Sequence, residues 1–143
     1  MKTIRHVGLI VENAEKALIL YRDYLGFFPE IDQVESGTFF ESLVGIKDAI
    51  ARTIKCHNKE TGDCIELIEY QQPEAIKRSK SINSLGFNHL ALNIKEIDNL
   101  YLELKNLGLE FITKPEYSPN GKVKVAFCRD FEGNLLELVE EVA

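Results

Sequence analysis

The chain has 143 residues, 45% of them hydrophobic and 28% charged, which is the composition of an ordinary globular domain with enough apolar material for a core. Its 17 basic and 23 acidic residues leave a net charge of -6, so it carries no overall positive field to attract a phosphate backbone and nucleic acid is excluded as a partner. Apolar runs are short: VGLIV at 7 to 11 is ended at once by Glu12, which fits neither a signal peptide nor a membrane span, so a cytoplasmic location is expected with no membrane partner.

The first predicted strand is HVGLIV at 6 to 11. It runs into ENAEKALILYRDYLGFF at 12 to 28, where Ala17, Leu18, Tyr21 and Leu25 recur at helical spacing and Gly26 supplies a stop. Strands FFPEIDQVES and AIARTIKCH follow, joined by a short helical piece, FFESLVG, and the half closes with CIELIEY at 64 to 70. Between them Gly62 supplies a turn, and His57, in the polar HNKETGD, is expected to be solvated. The polar stretch QQPEAIKRSKSINSL at 71 to 85 then separates a second round of the same elements.

That second round begins with HLALNI at 89 to 94 and continues with KEIDNLYLELKNLGLEF at 95 to 111, whose Ile97, Leu100, Leu104 and Leu107 form a helical stripe ended by Gly108. LEFITK and GKVKVAFCR supply further strands, Gly121 and Gly133 supply turns, and NLLELVEE at 134 to 141 closes the chain. An α+β domain of two tandem βαβββ modules is therefore predicted, with module one at 1–70, a linker at 71–85 and module two at 86–143. The modules are too small to bury good cores alone, so they should pack side by side or exchange between subunits. Cys56, Cys64 and Cys128 are odd in number and lack a CxxC spacing, so they are read as reduced, buried hydrophobes.

Four polar residues recur at equivalent points of the repeat. His6 and His89 open the first strands, and Glu66 and Glu137 sit inside the closing ones. Alternation puts Glu137 on one strand face with Leu135 and Val139, and Glu66 with Cys64, Ile68 and Tyr70. A carboxylate taken out of water costs several kcal/mol unless something compensates it. If the duplicated strands curve together, these two imidazoles and two carboxylates converge on one divalent transition metal, and Zn, Ni, Co, Mn and Fe(II) all accept such donors.

HVGLIV, LYRDYLGFF, CIELIEY, GFNHLALNI and above all RDFEGNLLELVE resemble the vicinal oxygen chelate superfamily, the group of glyoxalases, bleomycin-resistance proteins and extradiol dioxygenases. Phe131 stands where the closing DPDGN-x-x-EL signature usually has Pro. The resemblance implies a cupped mixed sheet around a metal site, with His6, Glu66, His89 and Glu137 on the four ligand positions, and a homodimer, as in many members.

Two His and two Glu are similar to the set of the lyase and isomerase branches, in which a metal polarises a carbonyl, a neighbouring carbon loses a proton, and the enediolate or enolate is stabilised. By that analogy Glu137 is the general base and Glu66 the other choice. Lactoylglutathione lyase places an Arg and an Asn where this chain has Ile10 and Tyr70, which disfavours glutathione as cosubstrate. KVKVAFCRD at 122 to 130 is loosely similar to the methylmalonyl-coenzyme A epimerase pattern, in which Asn88 would be a second His. Tyr70 and Arg52 are candidates to line a pocket for a small-molecule substrate. The alternatives are an extradiol-type Fe(II) dioxygenase using His6, His89 and Glu137, or a non-catalytic small-molecule binding or resistance protein.

Overall fold

A computed structural model describes residues 1–78 and 81–142 of the chain. Two compact units form, Met1–Lys77 and Arg78–Ala143, and each is built on its own mixed sheet. Part of the predicted linker, at 79 and 80, lies outside the described residues.

In the first unit β1 (Val7–Ile10) leads into a helix, α1 (Ala14–Leu18), that continues as a wider π-helical turn over Ile19–Tyr24. The predicted helix is therefore present but changes winding, with Leu25 N–H bonded to Leu20 O at 3.0 Å. Ala17, Leu18, Leu20 and Tyr21 are all buried, so Leu20 joins the expected apolar face. Gly26 ends the segment at φ +80, a conformation that favours a residue without Cβ. Next come β2 (Phe27–Glu35), α2 (Thr38–Val44), β3 (Ile50–Asn58) and β4 (Cys64–Gln72). The sheet order is β1-β4-β3-β2, with β1 parallel to β4 and the remaining pairs antiparallel.

The second unit repeats this plan. β5 (His89–Asn93), α3 (Ile97–Leu107), the short β6 (Glu110–Phe111) and β7 (Glu116–Tyr117), β8 (Val123–Arg129) and β9 (Leu135–Glu141) form a sheet of order β5-β9-β8-β6, with β7 also on β8. Again the first strand is parallel to the last, β5 to β9. Among the described residues the second unit has no equivalent of α2, and the long β2 is replaced by the two short strands β6 and β7.

One carboxylate in each closing strand shows which face the helix covers. Glu69 accepts the backbone N–H of Ala14, at the start of α1, at 2.6 Å, and Glu140 accepts that of Ile97, at the start of α3, at 2.6 Å. Glu69 shares its face with Ile65 and Leu67, and Glu140 shares its face with Leu136 and Leu138; all four of these aliphatic residues are buried. The helix N-terminus carries unpaired N–H groups and a partial positive charge, so a carboxylate there is favourable. The strand faces turned away from α1 and α3 carry Glu66 and Glu137.

Candidate metal centre

The register between first and last strands is the same in both units. Gly8 pairs with Glu66 and Ala91 with Glu137, and each His lies two residues before that small residue. An even offset keeps imidazole and carboxylate on one face, and Gly8 or Ala91 beside the carboxylate leaves room for the ring to lean across. His6 Nε2 consequently lies 3.7 Å from Glu66 Oε1, and His89 Nε2 lies 3.5 Å from Glu137 Oε1. The Glu side chains are 14% and 26% exposed, which is low enough for their charge to require compensation.

Both separations exceed the hydrogen-bond range of about 2.7 to 3.2 Å. They match instead two donors on one ion, since ligand atoms each about 2.1 Å from a tetrahedral metal stand about 3.4 Å apart. Imidazole nitrogen with carboxylate oxygen is a donor set for divalent transition metals, so each pair fits half of a coordination shell. Among the described residues no three His, Cys, Asp or Glu side chains group closely enough to hold a metal.

A turn built by the signature residues delivers Glu137. Asp130 is buried; its Oδ1 accepts the N–H groups of Glu132 and Asn134, and its Oδ2 accepts Asn134 Nδ2 at 3.0 Å. Gly133 occupies φ +83 in that turn, so D-x-x-G-N is a hairpin former that sets the start of β9.

The two pairs differ in their flanks. Glu66 has Lys55 as its register partner on β3, whereas Glu137 has Phe127 on β8. The Phe127 ring also packs edge-on against His89, with centroids 5.3 Å apart. Phe127 brings no charge to Glu137, and the basic side chain beside that carboxylate is His89. His89 Nδ1 lies 2.7 Å from Asn88 Oδ1, a contact with no counterpart in the first unit, where Arg5 precedes His6.

Tyr70 stands two strand positions beyond Ile68 on the Glu66 face, where its ring stacks on Phe40 of α2 at 6.4 Å. Arg52 is set apart from it. Its register partner is Glu69, on the helix side, and its guanidinium holds Asp32 at 2.9 and 2.8 Å and Glu15 of α1 at 2.8 Å. Lys124 holds the same place in the second unit, as register partner of Glu140 with its Nζ on Asp98 of α3. Arg52 and Lys124 are thus repeated cations tying helix to sheet, and the expected pocket role of Arg52 gives way to this one.

His57 also departs from expectation. It belongs to β3 rather than to the turn, and its Nδ1 is buried 3.2 Å from Glu30 Oε2 without hydrogen-bond alignment. Its register partner is Cys64, while Cys56 pairs with Ile65, so the two thiols point to opposite faces. Cys56 and Cys128 are fully buried, as expected, and Cys64 is half-buried. Burial, then the nearby Glu66 carboxylate, pushes the Cys64 thiol up from its ordinary value.

Neither helix caps nor latches were foreseen from the residues alone. Their signal was present as a second carboxylate three positions after each ligand candidate, in IELIE and LELVE. No helix among the described residues is long and apolar enough to cross a membrane.

The family model described as Glyoxalase/Bleomycin resistance protein/Dioxygenase superfamily matches residues 3–138. The uncharacterized protein YurT of Bacillus subtilis (strain 168) is 28% identical over 136 residues, 94% of this chain and 95% of its own. A glyoxalase family protein from Bacillus cereus has a crystal structure similar to this one at a TM-score of 0.90 and 20% identity, over 100% of this chain and 96% of that one. The fosfomycin resistance protein FosX of Listeria monocytogenes, in a crystal structure complexed with Mn(II) and sulfate, is similar at a TM-score of 0.61 and 17% identity, covering 99% of this chain and 94% of that one.

Proposed function

The chain belongs to the Glyoxalase/Bleomycin resistance protein/Dioxygenase superfamily, and from that premise we propose that it is a metal-dependent lyase or isomerase that moves a proton next to a carbonyl of a small oxygenated substrate. One observation carries the proposal: an imidazole and a carboxylate stand 3.5 to 3.7 Å apart at the same register position of both units. The pairs His6–Glu66 and His89–Glu137 would each supply an imidazole and a carboxylate to a divalent transition metal, Zn, Ni, Co, Mn or Fe(II). The Mn(II) complex of FosX supports a divalent cation on this fold.

When bound, the metal supplies positive charge that polarises a carbonyl oxygen. The chain's own residues do the rest. Glu137 accepts the proton from the carbon beside the carbonyl at a carboxylate oxygen and returns it, as a general base and then acid. Its flank favours this over Glu66, because the register partner of Glu137 is the uncharged Phe127 while that of Glu66 is Lys55, a competing cation. Tyr70, on the Glu66 face, is the candidate to orient the substrate. A cytoplasmic homodimer belongs to the same proposal, supported by three free cysteines and by exposed apolar side chains such as Ile10, Ile31 and Val34.

Elemental analysis of the purified protein and of the His6→Ala, Glu66→Ala, His89→Ala and Glu137→Ala variants tests it. Stoichiometric divalent metal in the parent and its loss in the variants are expected. Metal content unchanged by all four substitutions would end the assignment.

A further inference from the structure

His89 has a polar neighbour at each ring nitrogen, and the hydrogen bond at Nδ1 determines where its proton sits. Nδ1 lies 2.7 Å from Asn88 Oδ1, and Nε2 lies 3.5 Å from Glu137 Oε1. Asn88 is itself held, because its Nδ2 donates to the carbonyl oxygen of Ile82 at 2.5 Å. A backbone carbonyl only accepts, so the nitrogen end of the amide faces Ile82 and the oxygen end faces the ring. An amide oxygen also only accepts, so the imidazole proton must be on Nδ1. In the neutral ring Nε2 then carries a lone pair, aimed at a carboxylate oxygen. Two acceptors facing each other repel; a cation between them makes the arrangement attractive.

We propose that Asn88 is a positioning residue that locks His89 in the Nδ1–H tautomer and so presents Nε2 alone, together with the Glu137 carboxylate, to a divalent cation. This rests on the metal site proposed above and goes beyond it in fixing the ring nitrogen and in making the two halves unequal. The residue before His6 is Arg5, whose guanidinium has donors only and cannot accept from a ring N–H. The duplicated site therefore has one imidazole oriented by its sequence neighbour and one that is not.

Long-range proton–nitrogen correlation spectra of the metal-free, histidine-labelled protein test the lock, at a pH where His89 is neutral. The parent is expected to show the Nδ1–H tautomer at His89. Asn88→Leu is expected to shift the ring toward Nε2–H, and Asn88→Asp, which keeps an acceptor, to retain the parent pattern. Asn88 is exposed, so neither change disturbs a core. Zinc titration should show affinity lowered by about 10- to 100-fold in Asn88→Leu, the usual effect of removing an outer-shell partner, and largely restored in Asn88→Asp. An Nε2–H tautomer in the parent, or identical spectra for the parent and Asn88→Leu, overturns the lock. A parent that takes up no zinc but keeps the Nδ1–H pattern overturns the metal site and the purpose assigned to Asn88, while the tautomer lock stands.

Discussion

Glu140 Oε2 accepts the backbone N–H of Ile97 at 2.6 Å, and it does so from the face of β9 opposite Glu137. Glu69 stands in the same relation to Ala14 in the first unit. Three residues along a strand reverse the side-chain direction, so Glu69 and Glu140 reach the starts of α1 and α3 while Glu66 and Glu137 lie on the opposite strand faces. Glu69→Ala or Glu140→Ala should cost about 1 to 2 kcal/mol in urea unfolding, the range for a lost helix cap, while metal content stays at the parent level. Loss of metal in these variants with no loss of stability would reverse the division of roles.

Chelation should separate the folded from the loaded protein. A metal that binds only the native state stabilises it by about 2.7 kcal/mol when present at 100 times its dissociation constant. The melting temperature of the parent should therefore fall on chelation and recover on adding Zn2+, whereas His6→Ala and His89→Ala should melt at temperatures that hardly respond to either.

The Arg52 latch predicts a dependence on acid. The guanidinium, through its hydrogen bond to Asp32, holds that carboxyl below its ordinary value of 3.8. A carboxyl with a depressed folded value stabilises the protein above the unfolded value, and the gain is lost as pH falls through the lower folded one. Arg52→Ala should thus lose about 1 kcal/mol or less at neutral pH, because both partners are partly solvated, and its stability should change less than the parent's below pH about 4. Urea titrations at neutral and acid pH, compared for the two proteins, check this.

At the alkaline end the buried thiols act in the opposite sense. Burial pushes Cys56 up to about 11 and Cys128 up to about 12, from 9.0. Groups with raised folded values stabilise the protein fully below the unfolded value and cease to do so as pH rises through the folded one. Stability should therefore fall between about pH 9 and 12, and Cys128→Ala should flatten that decline. In the native protein near neutral pH, iodoacetamide should modify the half-buried Cys64 ahead of Cys56 and Cys128, a ranking that peptide mass mapping reads directly.

Core truncation should show the equivalence of the two closing strands. Leu67 and Leu138 are both fully buried on helix-covered faces. Either residue changed to Ala should cost about 2 to 5 kcal/mol, with far smaller effects on metal content in whatever fraction stays folded.

Much of this was legible in the residues because the signals are local. Alternation in CIELIEY and NLLELVEE, the helical spacing of Ala17, Leu18 and Tyr21, and the stops at Gly26 and Gly108 each depend on a few neighbours along the chain, so elements and duplication emerge without coordinates. Recurrence in the repeat marks His6, Glu66, His89 and Glu137 and raises the expectation that all four converge on one metal; their grouping into the pairs His6–Glu66 and His89–Glu137 comes from strand register.

What only the tertiary structure decided is how strands distant in sequence meet. Alternation tells which residues share a face within one strand, but it leaves open which face a helix covers and which residues of two strands stand opposite. That is why Arg52 reads as a pocket candidate along the chain yet serves α1, 37 residues away in sequence at Glu15, and why His57 reads as part of a turn yet lies in β3. The hydrogen bond from Asn88 to Ile82 is equally invisible in the letters, because a side-chain amide chooses its partner, and so the proton position on His89, only when the backbone carbonyl is already in place.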